Sequence, residues 1–249
     1  MQAPWGTVLR CRPLLPVADH FFTASSIELR DRADEWAAVA ALAGVPADRL
    51  RLLHQVHGRT MATAASGADV RWTRPEADGV MTDDPSVALV VCVADCAPIL
   101  LADRQLGVTA AVHAGWRSTM LRIVPAAVEA LTATYGSRPS DLVAAIGPSL
   151  GECCGEMGTE VVEAFRAAGH DEGAIARWFT RQPGRRSHFD LWRANREQLE
   201  ASGVPAASIH IAGLCTRTYP AVFHSYRAAG PGAGRMAGVI RKRGHSPFP

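Results

Sequence analysis

Lysine is almost missing from this chain. Of 26 basic residues only Lys242 is a lysine, and it lies close to the C-terminus. A Schiff-base lysine in a central pocket is therefore disfavoured. The Gly-Lys-Ser/Thr run of a phosphate-binding loop does not occur. No stretch of about 18 apolar residues is present to span a bilayer. The first twenty residues, "MQAPWGTVLRCRPLLPVADH", contain no long apolar core of a secretory leader. Neither charge sign dominates, with 26 Lys+Arg against 24 Asp+Glu and a formal net charge of +2. That balance argues against nucleic acid or a membrane as partner. Basic residues do gather at Arg181–Arg186 and Arg241–Arg243. These read as a solvated loop and a solvated strand end. Internal repeats and Ser/Gly-rich linkers are also missing.

What is there suits a globular protein with a substantial core. The 249 residues are 48% hydrophobic and 20% charged, and we read 1–249 as a single domain. Six cysteines occur, at positions 11, 92, 96, 153, 154 and 215. A chain of this size does not need disulfide staples, so the expectation is a cytoplasmic protein with reduced thiols.

Helical and extended signals alternate without a regular βαβ rhythm, which indicates an α+β fold. Asp34 to Ala43 reads as a helix ended by Gly44. Arg51 to Val56 reads as a short strand, Ala77 to Pro85 as a turn-rich loop, and Val87 to Asp95 as a buried strand. Ser118 to Gly136 is helical, either beginning near Ile123 with Pro125 in its first turn or kinked at that proline. Leu142 to Gly147 is a further buried strand. Helices follow over Thr159 to Gly169 and Asp190 to Gly203, the second with Asp190 as N-cap. "SIHIAGL", "AVFHSYR" and "MAGVIRKR" read as late strands.

Chemistry concentrates in "DCAPILLADRQLGVTAAVHAGW", Asp95 to Trp116. With Asp103 to Leu106 as a four-residue turn, the two arms form a hairpin in which Cys96 and His113 are directly opposed. Their Cβ atoms would then lie about 4.5–5.5 Å apart on one face. Pro98 cannot donate to a ladder, so the Cys96 end should be irregular or at a sheet edge. Cysteine and histidine together suit Zn²⁺, and a catalytic zinc takes three protein ligands with an open fourth position. "HQVHG" offers the third: His54 and His57 face opposite sides of a strand, and His57 is the better placed. A buried cysteine beside a hydrogen-bonded histidine, with no metal, is the alternative.

At this point the chain resembles a known family. "HQVHG", "DGVMTD", "ADCAPILLAD", "VHAGWRST", "AIGPSLGECCGEMG", "FDLWRANREQL" and "CTRTYPAVFHSYRAAGPGAGRMAGVI" follow the order seen in YfiH-like, laccase-domain proteins. These have been called polyphenol oxidases, purine nucleoside phosphorylases and a peptidoglycan editing factor. The similarity runs from about residue 20 to 240. It implies a layered α/β/β/α domain and a zinc site of His57, Cys96 and His113, with copper suggested by the family label. It implies phosphorolysis of adenosine, inosine, guanosine or methylthioadenosine, with adenosine deamination beside it. The partners would be a purine nucleoside and phosphate.

The chain also departs from the family pattern. Ser118 replaces a glycine after H-A-G-W-R. Gly155 replaces the aromatic of C-C-Y-E, and Ala233 replaces the threonine of T-G-R. The family's N-terminal F-S-T-R-x-G-G-V-S segment is reduced to "FFTASSIELRD", in which that motif's arginine, a candidate anion contact, and its glycine loop are missing.

Around this set, Asp95 is a candidate to orient His113 or to act as acid/base. Arg117, at a helix start, and Arg227 are candidate anion contacts, and Arg235 is a further candidate for the same pocket. Asp78 reads as a turn residue. Cys92 reads as core, Cys153 and Cys154 as thiols in a small-residue turn, and His188 and His224 as satisfied structural histidines. Four other readings remain beside the phosphorylase: an amidase editing a muropeptide precursor, a metal-free cysteine hydrolase, a copper phenol oxidase, and a binding protein that has lost catalysis. A multicopper centre calls for more clustered histidines than these motifs supply.

Overall fold

A computed structural model describes residues 1–3, 5–30, 32–65, 72–180 and 186–244. The basic run at Arg181–Arg186 therefore lies almost wholly outside the described residues.

Two six-stranded sheets form the centre. The first runs, in spatial order, Gln2–Ala3, Gly6–Leu9, Ala18–Thr23, Met236–Lys242, Ala88–Val93 and Leu50–Arg51. The second runs Ile209–Ile211, Leu142–Ile146, Ala97–Asp103, Thr109–Ala114, Gly79–Thr82 and Met61–Thr63. A small three-stranded sheet is built from Glu156–Met157, Ser187–Phe189 and Phe179–Thr180.

Strand alternation sorts the apolar residues into three layers. Leu89, Val91 and Ile240 of the first sheet meet Leu100, Ala102, Ala111, Val143 and Ala145 of the second, so the sheets pack face to face. Their neighbours Ala88, Val90, Ala237 and Val239 turn outward onto Val39 and Ala40 of the Ala33–Ala43 helix. Ile99, Leu101, Ala110, Val112 and Ala144 turn the other way, onto Val124, Val128 and Leu131 of the Ile123–Tyr135 helix and Ala194 and Leu199 of the Leu191–Ala201 helix. This is the α/β/β/α layering. It explains why the central strands read as continuous apolar runs: both faces are covered.

Several expectations hold locally. Gly44 ends its helix in the left-handed region at φ 71°. Pro125 occupies the first turn of a helix that begins at Ile123, after Arg122 breaks from the preceding Trp116–Met120 turn at φ 61°. The Asp190 side chain accepts a hydrogen bond from the Arg193 N–H.

Others are corrected. Within Arg51 to Val56 only Arg51 lies in a strand, and His54 makes an isolated bridge to Glu76. The supposed loop at Ala77 to Pro85 contains a fully buried strand, Gly79–Thr82. Its small and polar residues conceal it from a propensity reading, but it pairs with Thr109–Ala114. "AVFHSYR" is not extended; it leads into the short helix Tyr226–Ala229, capped by the Ser225 side chain. Among the described residues no helix is long and apolar enough to cross a membrane.

Candidate active site

The hairpin forms with a register two residues away from the expected one. Pro98, not Cys96, lies opposite His113, and Ala102 lies opposite Thr109. The loop has four residues as expected, but it spans 104–107. The Asp103 carboxylate accepts the N–H groups of Gln105 and Leu106 and so starts the turn one residue later. Gly107 closes it at φ 68°. A slip of two leaves side-chain parity unchanged, so Cys96 and His113 still project to the same side. Pro98 sits near the start of an interior strand, not at a sheet edge. The irregularity lies just before it, where Asp95 adopts φ 84°.

The ligand atoms of His57, Cys96 and His113 all lie within 4.8 Å of one another. The Cys96 Sγ is 3.9 Å from His57 Nε2, and the two imidazole rings meet edge to face with centroids 4.8 Å apart. His113 is buried, Cys96 half-buried and His57 exposed, so the group is open on the histidine side. The backbone is built around it. A Cβ on Gly115 would stand 2.7 Å from Cys96 Sγ and 3.3 Å from His57 Cδ2. His57 itself is left-handed at φ 59°, a conformation that non-glycine residues reach at a cost.

Asp78 holds this arrangement. Its fully buried carboxylate lies 2.8 Å from His113 Nδ1. It also accepts the N–H groups of Val56, His57 and Gly58 at 3.3, 2.9 and 2.5 Å. With Nδ1 occupied, the Nε2 of His113 is the nitrogen available to a ligand. The expected turn residue is thus the orienting carboxylate, the role considered for Asp95. Asp78 stands directly opposite His113 once the Gly79–Thr82 strand is recognised, because Gly79 pairs with Val112. The Asp95 carboxylate is occupied elsewhere. It accepts from the Thr216 hydroxyl at 2.6 Å and from the Arg227 backbone N–H at 2.5 Å.

Electrostatics follow the geometry. Burial alone would raise the Cys96 thiol, but the positive charge and hydrogen bond of His113, with help from His57, bring it down to about 6. Burial would lower His113, but the Cys96 thiolate and the Asp78 carboxylate raise it to about 9. Each shift favours the charged form of its group, a thiolate beside an imidazolium. One thiolate with two imidazoles suits a cation such as Zn²⁺, whose positive charge would take the place of that proton.

These side chains open into a cavity of about 770 Å³, the size of a site for a small organic ligand. Arg117 and Arg227 both line it, together with Arg30, Arg74 and Arg235. Arg117 lies over the Trp116 ring, 4.4 Å from the centroid. Arg227 donates to the carbonyls of Glu156 and Cys154 at 2.9 and 3.4 Å. Arg30 donates to the Pro231 carbonyl at 2.5 Å and to that of Ala233. The family arginine is missing, but Arg30, farther along the shortened N-terminal segment, lines the cavity. Arg30 and Arg74 carry no sequence signal of their own. Cys92 is half-buried and lines the same cavity rather than lying wholly in the core. His224 is a satisfied histidine bonded to the Ile27 carbonyl, and His188 bonds the Glu152 carbonyl.

Among the described residues, one other group of metal-type ligands converges, Cys153 with Cys154 and Cys215. Neither group assembles the several histidines of a multicopper centre.

Relatives agree with this architecture. A purine nucleoside phosphorylase of Deinococcus radiodurans is 37% identical over 96% of this chain and 94% of its own length. Adenosine deaminase RL5, from an unknown prokaryotic organism, is 41% identical over 66% of this chain and 60% of its own length. The crystal structure of YlmD from Geobacillus stearothermophilus superposes with a TM-score of 0.86 at 27% identity, covering 98% of both chains. Residues 30–243 match the family described as multi-copper polyphenol oxidoreductase laccase, and the chain belongs to that YfiH-like, laccase-domain family.

Proposed function

We propose that the cavity is the active site of a zinc-dependent purine nucleoside phosphorylase that also deaminates adenosine. Adenosine, inosine, guanosine and methylthioadenosine form the substrate class. One observation carries the reading: Cys96, His57 and His113 converge in the lining of a cavity that also includes five arginines. Relatives named for both activities support it.

His57, Cys96 and His113 would hold the zinc, and Gly115 leaves room for their atoms to meet. When bound, the ion supplies a Lewis acid that polarises a reactant oxygen. The rest falls to the chain. In phosphorolysis a phosphate oxygen bonds to ribose C1′ as the bond from C1′ to the purine nitrogen breaks. The electron pair departs with the base, which takes up a proton. Arg117 and Arg227 offer guanidinium groups to the dianion, which a balanced protein surface would not otherwise attract. The Trp36, Trp116 and Tyr226 rings on the cavity wall offer apolar faces to a purine. Asp78 keeps the His113 proton on Nδ1. Asp95, already engaged at both oxygens, positions the segment that carries Arg227. In deamination water adds at purine C6 and ammonia leaves, with no phosphate needed.

Zinc-loaded protein given adenosine and phosphate should release adenine and ribose 1-phosphate. Without phosphate it should release inosine and ammonia. A zinc-loaded sample that turns over none of the four nucleosides overturns the proposal. The low thiol pKa of Cys96 favours a second reading, a metal-free cysteine hydrolase with His113 as its proton partner. One equivalent of tightly held zinc on the purified protein would remove it.

A further inference from the structure

A second set of sulfur ligands converges away from His57, Cys96 and His113. Cys153 and Cys154 lie on the short turn Glu152–Cys154, and Cys215 lies on a separate segment that bridges Ser149. The three Sγ atoms lie within 4.8 Å of one another, and those of Cys153 and Cys154 are 3.7 Å apart. All three are free thiols. Two sulfurs bound to one metal at about 2.3 Å stand roughly 3.8–4.0 Å apart. The observed spacing is therefore close to the edge of a metal–thiolate unit. In an extended chain, adjacent side chains would point to opposite faces; the tight turn brings Cys153 and Cys154 to one side.

Backbone contacts frame the three sulfurs. Ser149 and Thr216 exchange backbone hydrogen bonds with the opposite segment, Ser149 N–H to Leu214 carbonyl at 3.2 Å and Thr216 N–H to Ser149 carbonyl at 3.1 Å. A Cβ on Gly151 would come within 3.3 Å of Cys215 Cβ and 2.8 Å of the Trp192 ring. The Thr218 hydroxyl lies 3.5 and 3.6 Å from the sulfurs of Cys153 and Cys154. Cys215 is buried, Cys154 half-buried and Cys153 exposed, which gives an ion a way in.

The group contains no histidine and no carboxylate. An all-sulfur set selects soft metals. A structural zinc takes a fourth protein ligand and an iron–sulfur cluster takes four cysteines, whereas three thiolates satisfy a cuprous ion. We propose that Cys153, Cys154 and Cys215 form a second metal site, which takes a soft monovalent cation of the cuprous type from solution. Each thiol that ligates releases its proton to solvent, and the metal keeps its oxidation state. The ion staples the 152–154 turn to the 215–218 segment. Arg227, which donates to the Cys154 carbonyl, links the staple to the cavity wall. This site stands independently of the phosphorylase reading.

The test uses the full chain, reduced and, for wild type and Cys153→Ser, zinc-loaded, titrated anaerobically with Cu(I) against bathocuproine disulfonate. Wild type and Cys96→Ser should each hold one Cu(I) in competition, whereas Cys153→Ser should bind at least a hundredfold more weakly. Cys153 is exposed, so this variant keeps the core intact, and circular dichroism verifies that. X-ray absorption at the copper edge should show three sulfur neighbours. Cys153→Ser with wild-type affinity, loss of binding in Cys96→Ser, or nitrogen neighbours in the absorption spectrum would overturn the site.

Discussion

Asp78 stands directly across the sheet from His113, its carboxylate 2.8 Å from the ring Nδ1. The Asp78 carbonyl also accepts the His113 N–H at 2.7 Å. One residue therefore fixes the buried histidine by backbone and side chain, and holds the His57 loop through three N–H groups. Burial would raise the Asp78 carboxyl, but the His113 hydrogen bond and the Gly58 and His57 N–H groups pull it below the usual carboxylate range.

Asp78→Asn should separate orientation from ligation. The amide keeps the shape but loses the charge and turns a donor toward the loop N–H groups. Zinc affinity should fall about 10–100-fold. Competition with a chromophoric chelator measures it. Asp78→Ala leaves the part-buried loop N–H groups and the buried His113 ring without their acceptor and should also lower stability by about 1–3 kcal/mol, read from the denaturant midpoint.

Cys96→Ala should abolish both metal retention and turnover. Stripping wild type with a chelator should have the same effect, with activity restored by stoichiometric Zn²⁺ and not in the variant. Metal analysis beside the nucleoside assay checks both arms.

Gly115→Ala should damage the site without touching a ligand. The new methyl group would stand 2.7 Å from Cys96 Sγ, and a sulfur on a single rotatable bond has little room to retreat. Zinc affinity should drop at least tenfold, while far-ultraviolet circular dichroism stays unchanged.

Arg117→Ala should distinguish the two reactions. Its guanidinium lies over Trp116 at the cavity wall. The phosphate KM should rise about tenfold, the equivalent of roughly 1.4 kcal/mol. Deamination, which uses no phosphate, should change by less than twofold. Initial rates over a phosphate series decide it.

Glu197 should contribute an acid-labile part of the stability. It accepts hydrogen bonds from Arg177, Arg193 and Trp178, each at 2.9 Å at its nearest. Burial would raise its carboxyl, but these donors hold it below the ordinary value. A depressed folded-state pKa means stability that is present above the unfolded value near 4.3 and lost as pH falls through the folded value. The guanidinium groups are half-exposed, so screening limits the effect to about 0.3–1 kcal/mol. Glu197→Gln should unfold at lower denaturant than wild type at pH 7, and the gap should close below about pH 3.

Composition and local pattern alone determined much of this protein. Burial of the 88–93 and 142–146 strands and the Gly44 and Asp190 caps are consequences of nearby residues, because caps and side-chain alternation depend on a few bonds of backbone, whereas the choice between a start at Ile123 and a kink at Pro125 stayed open. The same-side placement of Cys96 and His113 was legible for that reason, and it survived a two-residue error in register. Tertiary structure decided the rest. The turn position depended on the Asp103 carboxylate and on Gly107. The roles of Asp78 and Asp95 depended on which strand lies beside Thr109–Ala114. The entry of Arg30 and Arg74 into the cavity, and the meeting of Cys215 with Cys153 and Cys154, depended on loops from distant parts of the chain. A linear pattern records which way a side chain points from its own strand, but not which other segment will be packed against it.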